Sequence, residues 1–426
     1  MRLYSTRHSS PEVSFKQAVF EGLPPDNGLY LPSQIPTLPR SFFERLNELT
    51  FSEIGFEVTH ALIGNEIESK DLQRITDQAF NFPVPLHQLE DDVNILELFH
   101  GPTLAFKDFG ARFMSRVMRY FLRGEDKETT ILVATSGDTG GAVANGFLGA
   151  EGINVIILYP GGKVSEIQEL QLTTLGQNIS ALRIDGTFDD CQELVKNAFL
   201  DESLKPHLNL SSANSINICR MIPQSFYYFY AAGRFDDSPL VFSVPSGNLG
   251  NLSGGILAQK MGLKVEKFIA ASNVNATFPN YLSSGKYKPK PSVETISNAM
   301  DVGNPSNFLR INDWYDFDNI GDLMCGYSFD DLQTKSAISE IHKTKDYVMC
   351  PHTAVGYLGL KKYLEGRGNK GIVLSTAHPA KFANTIEGII QEKIEIPYDL
   401  QKLLDKDKSF IRLPNNYSLF KECLLS

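Results

Sequence analysis

Six short apolar runs rich in β-branched residues, separated by stretches of helical pattern, constrain this chain more than any other feature. They are 130–135 (TILVAT), 154–159 (NVIILY), 180–184 (SALRI), 240–244 (LVFSV), 267–271 (KFIAA) and 371–376 (GIVLST). Runs without polar alternation read as strands covered on both faces. Helical patterns such as 164–175 and 189–200 lie between them, and that alternation implies parallel sheets with functional loops at the carboxyl ends of the strands. The runs fall on either side of Asp236-Asp237-Ser238-Pro239. The expected fold is therefore α/β, with two doubly wound, mostly parallel sheets flanking a cleft. A first lobe is expected over 91–236 and a second over 237–395. Residues 1–90 read as a small helical N-terminal domain with Pro24-Pro25-Asp26-Asn27-Gly28 as a turn, and 396–426 as a peripheral helical segment. The irregular stretch from YKPKP (287–291) to Asn307 reads as a long surface or active-site loop.

A chain of 426 residues, 42% hydrophobic and 21% charged, can bury the cores that two lobes need. A formal net charge of -10 disfavours phosphate backbones and anionic lipid, so neither nucleic acid nor a membrane is an expected partner. Five cysteines (Cys191, Cys219, Cys325, Cys350, Cys423) are scattered with no C-x-x-C pair, which suggests free thiols in a reducing compartment. The opening MRLYSTRHSSPEVSF has no apolar core of the signal-peptide kind. A cytoplasmic protein without a metal site is expected.

One lysine sits in an apolar setting. In HGPTLAFKDFGAR (100–112), Leu104, Ala105 and Phe106 precede Lys107, and Phe109, Phe113 and Val117 recur at four-residue spacing. The pattern is a helix burying one face, with Lys107 near its start. Burial disfavours the charged amine, and a deprotonated lysine attacks carbonyls and forms Schiff bases. Taken alone, the segment suits a plainer reading better, with the stem packed on Phe106 and the ammonium reaching water or Asp108.

Three loops at strand ends change that balance. Ser136-Gly137-Asp138-Thr139-Gly140-Gly141 follows TILVAT and opens a helix, where small residues and free amides suit a carboxylate or phosphate. A capped turn explains the same residues equally well. Pro245-Ser246-Gly247-Asn248-Leu249-Gly250-Asn251 follows LVFSV with the same logic, and it is neither a Walker A loop nor a dinucleotide fingerprint. Thr376-Ala377-His378-Pro379-Ala380-Lys381-Phe382 ends GIVLS and offers a neutral hydroxyl at Thr376; His378, before a proline, reads as a structural turn residue. A buried lysine, a phosphate cradle, an anion loop and a strand-end hydroxyl are jointly what a pyridoxal phosphate site requires.

These residues resemble the threonine synthase family, pyridoxal-phosphate enzymes of the tryptophan-synthase-β fold type (fold type II), in its bacterial and fungal branch. The likeness runs through nearly the whole chain. It is carried by YSTR (4–7), PDNGLY (25–30), GPTLAFKDFG (101–110), ATSGDTGGA (134–142) and KVSEIQ (163–168). It continues through NSINICR (214–220), SGNLGN (246–251), NAMDVGNPSNF (298–308) and TAHPAKF (376–382). The resemblance implies that Lys107 anchors the cofactor covalently, that Gly247, Asn248, Leu249, Gly250 and Asn251 cradle its phosphate, and that Thr376 faces the pyridine nitrogen. Ser136, Gly137, Asp138 and Thr139 would take the substrate carboxylate. Asp138 stands where the wider fold type has an asparagine beside the cofactor's phenolic oxygen.

The implied reaction turns O-phospho-L-homoserine and water into L-threonine and phosphate, in a monomer or homodimer, with Lys107 also moving protons. A dianionic leaving group calls for cations and amides, and the candidates are Arg112, Lys163, Asn214, Ser215, Asn217 and Arg220, with Ser306 and Asn307 lining the cleft. Two residues depart from the family pattern. Asn27 stands where glycine is usual, and Gly161-Gly162 lacks a basic residue often found there.

Overall fold

A computed structural model describes residues 1–124, 128–236 and 238–426. Asp237, in the expected link between lobes, lies outside the described residues. One sheet has six strands, in the order Met324–Ser328, Val265–Ser272, Leu240–Pro245, Gly371–Ser375, Val93–Glu97 and Leu86–Gln88. All neighbours are parallel except the last pair, where Leu86–Gln88 runs antiparallel along the edge. The other large sheet, Ile411–Pro414, Ile179–Asp185, Ile153–Pro160, Thr129–Ala134 and Leu210–Ser212, is parallel throughout. All six apolar runs are strands of sheets covered by helices; Thr129–Ala134, Leu240–Pro245 and Gly371–Ser375 are buried along their whole length, while Asn154 and Ser180 are exposed near the starts of theirs.

Several short strands carry no such signature. Val93–Glu97, expected to open the first lobe, instead pairs with Gly371–Ser375 in the sheet of the second. Ile411–Pro414, expected within a helical segment, extends the first lobe's sheet beside Ile179–Asp185. The N-terminal region adds a three-stranded antiparallel sheet, Val13–Ser14, Arg2–Ser5 and Tyr30–Pro32, to its helices. Asn27 takes a left-handed φ of 60°, so it meets the conformation a glycine would supply there.

The helix Phe51–Ile63 begins at a capping box in which Thr50 and Glu53 satisfy each other's backbone amides. It lays Phe51 against Phe109, with ring centroids 5.0 Å apart, in an aromatic cluster that also holds Phe80, Phe113 and Phe226. That cluster seats the helix Lys107–Phe121 against the N-terminal helices. Phe109, Phe113 and Val117 are fully buried, as their four-residue spacing requires.

Candidate active site

Leu240–Pro245, Gly371–Ser375 and Val93–Glu97 are adjacent parallel strands, so the segments leaving their carboxyl ends converge. The segment after Val93–Glu97 is stitched to the one after Gly371–Ser375. The Leu98 amide donates to Ser375 O at 2.9 Å, the Phe106 amide to Thr376 O at 2.9 Å, and Ala105 bridges Ala377. Lys107 follows as the first residue of its helix, its nitrogen 5.1 Å from the Phe106 ring centroid. Asp108 turns to Thr103, accepting from its amide at 2.9 Å and its hydroxyl at 2.7 Å, which leaves Lys107 to the cavity. Burial pushes the Lys107 amine down to about 8; the Arg220 and Lys381 cations add to the shift, and Asp138 opposes it.

The loop after Leu240–Pro245 forms the opposite wall. Pro245, Ser246, Gly247, Asn248, Leu249, Gly250, Asn251 and Leu252 all line the Lys107 cavity, with Thr376 beside them. Leu249 adopts a left-handed φ of 60°, and the helix Gly250–Lys260 starts directly after it. Amides thus point from a helix N-terminus toward the cavity. The Asn251 side chain is oriented by two tyrosines, since Oδ1 accepts from Tyr227 at 2.7 Å and Tyr228 at 2.8 Å. Its Nδ2 is buried without a partner. Asn248 donates to Ser215 Oγ at 2.8 Å and accepts the Ser306 amide at 2.5 Å, while Asn307 donates to the Asn248 carbonyl at 2.9 Å. Gly247 lies under Ala299 and Met300, where an added Cβ would meet Met300 Cα at 2.9 Å.

The loop after Thr129–Ala134 folds on itself. Thr135 Oγ1 accepts the amides of Gly137 and Gly140, both at 2.9 Å. Asp138 is buried and lines the cavity; Lys381 Nζ lies 2.7 Å from its Oδ1, and Gln168 donates to the same atom at 3.0 Å. Burial alone would raise this carboxyl, yet the Lys381 ammonium holds it below the usual range. Ser136 and Thr139 stay part-exposed beside it, and Gly137 is buried under Gln168.

The candidate phosphate ligands separate. Arg220 and Ser215 line the cavity. Arg220 is buried, donates to Ala213 O at 2.6 Å and keeps Nε without a partner; an added Cβ at Gly110 would lie 2.6 Å from that Nε, so glycine lets the Lys107 helix approach. Arg112 is drawn away to the end of the helix Ser69–Ala79, donating to Ala79 O, Gln78 O and Asn81 Oδ1 at 2.6–2.8 Å. Lys163 is exposed in the turn after Ile153–Pro160 and faces Asp190. Asn217 is a buried helix cap, accepting the Cys219 amide and donating to Val19 O and Ser212 O. Asn214 holds Ala134 O at 3.1 Å, leaving its own Oδ1 buried without a partner. Arg112, Lys163, Asn217 and Asn214 have partners outside the cavity wall because local motif order says nothing about which way a side chain points. His378 accepts the Ala380 amide and caps a turn, as expected from the proline after it.

Sequence reasoning passed over His352, Gln224 and Lys381. His352 lines the cavity, accepts the Ala299 amide at Nε2 and is pushed down to about 4 by burial, so it is neutral with its proton on Nδ1. No local pattern marked it. Arg310, fully buried behind Asn307, binds the carbonyls of Tyr30, Ser215 and Ile216 and ties the N-terminal segment to the site.

The residues present fit pyridoxal phosphate. Asn251 Nδ2 and Arg220 Nε are buried polar atoms awaiting acceptors, the loop amides suit a phosphate, and Lys107 is an amine of lowered basicity. The family model described as pyridoxal-phosphate dependent enzyme matches residues 78–376, which makes the chain a member of that class. Models for the threonine synthase N terminus and the threonine synthase C-terminal region match 2–80 and 353–423. The chain is 43% identical to threonine synthase of Escherichia coli (strain K12) over 430 residues, covering all of both, and 35% identical to that of Saccharomyces cerevisiae, covering 96% and 94%. The crystal structure of threonine synthase from Escherichia coli superposes with a TM-score of 0.94 at 43% identity over 100% and 99% of the two chains. PLP-bound threonine synthase from Brucella melitensis gives 0.93 at 33%, with the same coverage. The chain belongs to the threonine synthase family.

Proposed function

We propose that this protein converts O-phospho-L-homoserine and water into L-threonine and phosphate, with Lys107 as cofactor anchor and proton carrier. The observation that carries this reading is the meeting, in one cavity, of Lys107, the Gly247–Asn251 loop, Thr376 and Arg220. Bound pyridoxal phosphate supplies an aldehyde and an electron-withdrawing ring that makes hydrogens on a substrate amino acid removable.

Gly247, Asn248, Leu249, Gly250 and Asn251 would hold the cofactor's phosphate with backbone amides and the free Asn251 Nδ2. Thr376, which lines the cavity, would offer the cofactor's ring nitrogen a neutral hydroxyl and not a carboxylate. Ser136, Gly137, Asp138 and Thr139 border the substrate carboxylate. The Lys107 amine takes a proton from Cα and another from Cβ as phosphate leaves Cγ, and returns them at Cγ and, after water has added its hydroxyl at Cβ and given its other proton to the phosphate, at Cα; an amine near 8 both accepts and releases protons at neutral pH. Of the three candidate cations only Arg220 lines the cavity, so it is the residue assigned to the leaving phosphate, with Ser215 as a neutral partner. Five free cysteines fit a reducing, cytoplasmic setting. Among the described residues no helix is long and apolar enough to cross a membrane.

The test is phosphate release from O-phosphohomoserine by wild type and Lys107→Ala. The expected result is release by the wild type and a loss of at least about 10³-fold in the variant. Surviving activity would remove Lys107 from its role, and a wild type that binds cofactor without releasing phosphate would favour a dehydratase.

A further inference from the structure

Lys381 is a second buried lysine beside the cavity, and no step assigned above uses it. It stands in the short turn Pro379–Phe382, fully enclosed, 2.7 Å from Asp138 Oδ1 and donating to Thr103 O at 2.9 Å. Gln168 supplies Asp138 Oδ1 with a second donor, and Gln171 does the same for Thr103 O. A buried ion pair is a poor brace, because desolvating two charges cancels most of their attraction and neutral residues of similar volume join the same segments as well. What a charged pair adds is a field on its neighbours. The neighbour here is Lys107, whose cavity Asp138 lines. The charged and titratable groups facing Lys107 are Arg220 from the helix Ile218–Met221, Asp138 from the loop after Thr129–Ala134, Lys381 from its turn and His352 from the helix Pro351–Leu364. Asp108, on the Lys107 helix itself, is occupied by Thr103.

We propose that the Lys381–Asp138 pair sets the field at the Lys107 nitrogen: the Asp138 carboxylate holds positive charge there, and Lys381, as a positioning residue, limits that hold. The inference rests on the reading of Lys107 as cofactor anchor. The directions agree, since Asp138 raises the proton affinity of Lys107 whereas Lys381, like Arg220, lowers it. Two opposed charges locked together let a buried amine keep a carboxylate beside it and still shed its proton near neutrality.

The test reads the pH midpoint of the visible absorbance of cofactor bound at Lys107, in holoprotein carrying no substitution, Asp138→Asn, Lys381→Met or both. Lys381→Met is expected to raise the midpoint by about one unit, a tenfold gain in proton affinity, and Asp138→Asn to lower it by a similar amount. The double variant should return to within about half a unit of wild type. If Lys381→Met, which strands a buried carboxylate, does not fold, the remaining comparison decides: the double variant must lie above Asp138→Asn. Coincident midpoints in all folded variants, or shifts of opposite sign, overturn the proposal and leave the pair a structural tie. A wild type without any Lys107-dependent band overturns the reading of Lys107 itself, and the pair's role with it.

Discussion

Two loops in this molecule follow the same rule in sequence and spend their donors differently in space. SGDTGG (136–141) and SGNLGN (246–251) each follow a buried strand and open a helix with glycines and small polar residues. In the first, Thr135 consumes the amides of Gly137 and Gly140, and Lys381 and Gln168 consume one oxygen of Asp138. In the second, Leu249 takes the left-handed region, and the buried Asn251 Nδ2 is left without a partner. A glycine-rich turn therefore binds through whichever donors the surrounding fold leaves it: Asn251 Nδ2 in the second loop, and in the first only the amides that Thr135 does not take.

That contrast can be broken in graded ways. The largest effect concerns Lys107, which both loops flank. Capture of pyridoxal phosphate by cofactor-stripped protein should follow the deprotonated amine, rising with pH and levelling above about 8; stopped-flow absorbance that keeps rising toward the ordinary lysine value of 10.5 would mean the loops do not enclose it. Gly137→Ala should be the most damaging loop change, costing about 3 kcal/mol in denaturant unfolding. Gly137 has φ 136°, and its Cβ would fall 2.4–2.6 Å from the Gln168 amide, which is itself fixed by Asp138 and Ser165.

In the other loop, Asn251→Asp keeps an acceptor for Tyr227 and Tyr228 but sets a carboxylate where a phosphate is expected. Cofactor affinity by fluorescence titration should fall about a hundredfold, with the melting temperature of the cofactor-stripped protein nearly unchanged. Thr135→Val removes the acceptor of two amides at little change of shape. It should cost about 1–3 kcal/mol of stability and little cofactor affinity. The smallest effect is expected for Arg112→Gln, within about threefold in kcat/KM, because its guanidinium binds a helix end outside the cavity; a hundredfold loss would return Arg112 to the site.

Much of the fold was legible because its signals are local. The six buried strands, the helix at Lys107 and the strand-end loops each show within a dozen residues, through hydrophobic period and turn chemistry. The short strands were not, since two to five residues at a sheet edge carry little hydrophobic pattern: Leu210–Ser212 and Ile411–Pro414 become strands by pairing with distant neighbours. In the site, the same divide holds. Lys107, Thr376 and the 246–251 loop announce themselves by position relative to strands, whereas His352 and Gln224 arrive from elements with no local mark, and Lys381, though inside the 376–382 loop, carries nothing in its neighbours that shows it turning to Asp138. Arg112 and Lys163 show the converse, as cations near motifs whose side chains the fold turns to a helix end and to the surface.

The sequence alone determined the parallel α/β architecture, the lysine at a buried helix start and the loops that surround it, because periodicity and small-residue turns act through nearest neighbours along the chain. Only the tertiary structure decided which donors stay free, which cation faces the cavity and how Asp138 came to be paired with a lysine from the other end of the chain. Burial and charge pairing depend on distances in space, and residues such as Asp138 and Lys381, far apart in the chain and 2.7 Å apart in the fold, leave no trace of that meeting in their order.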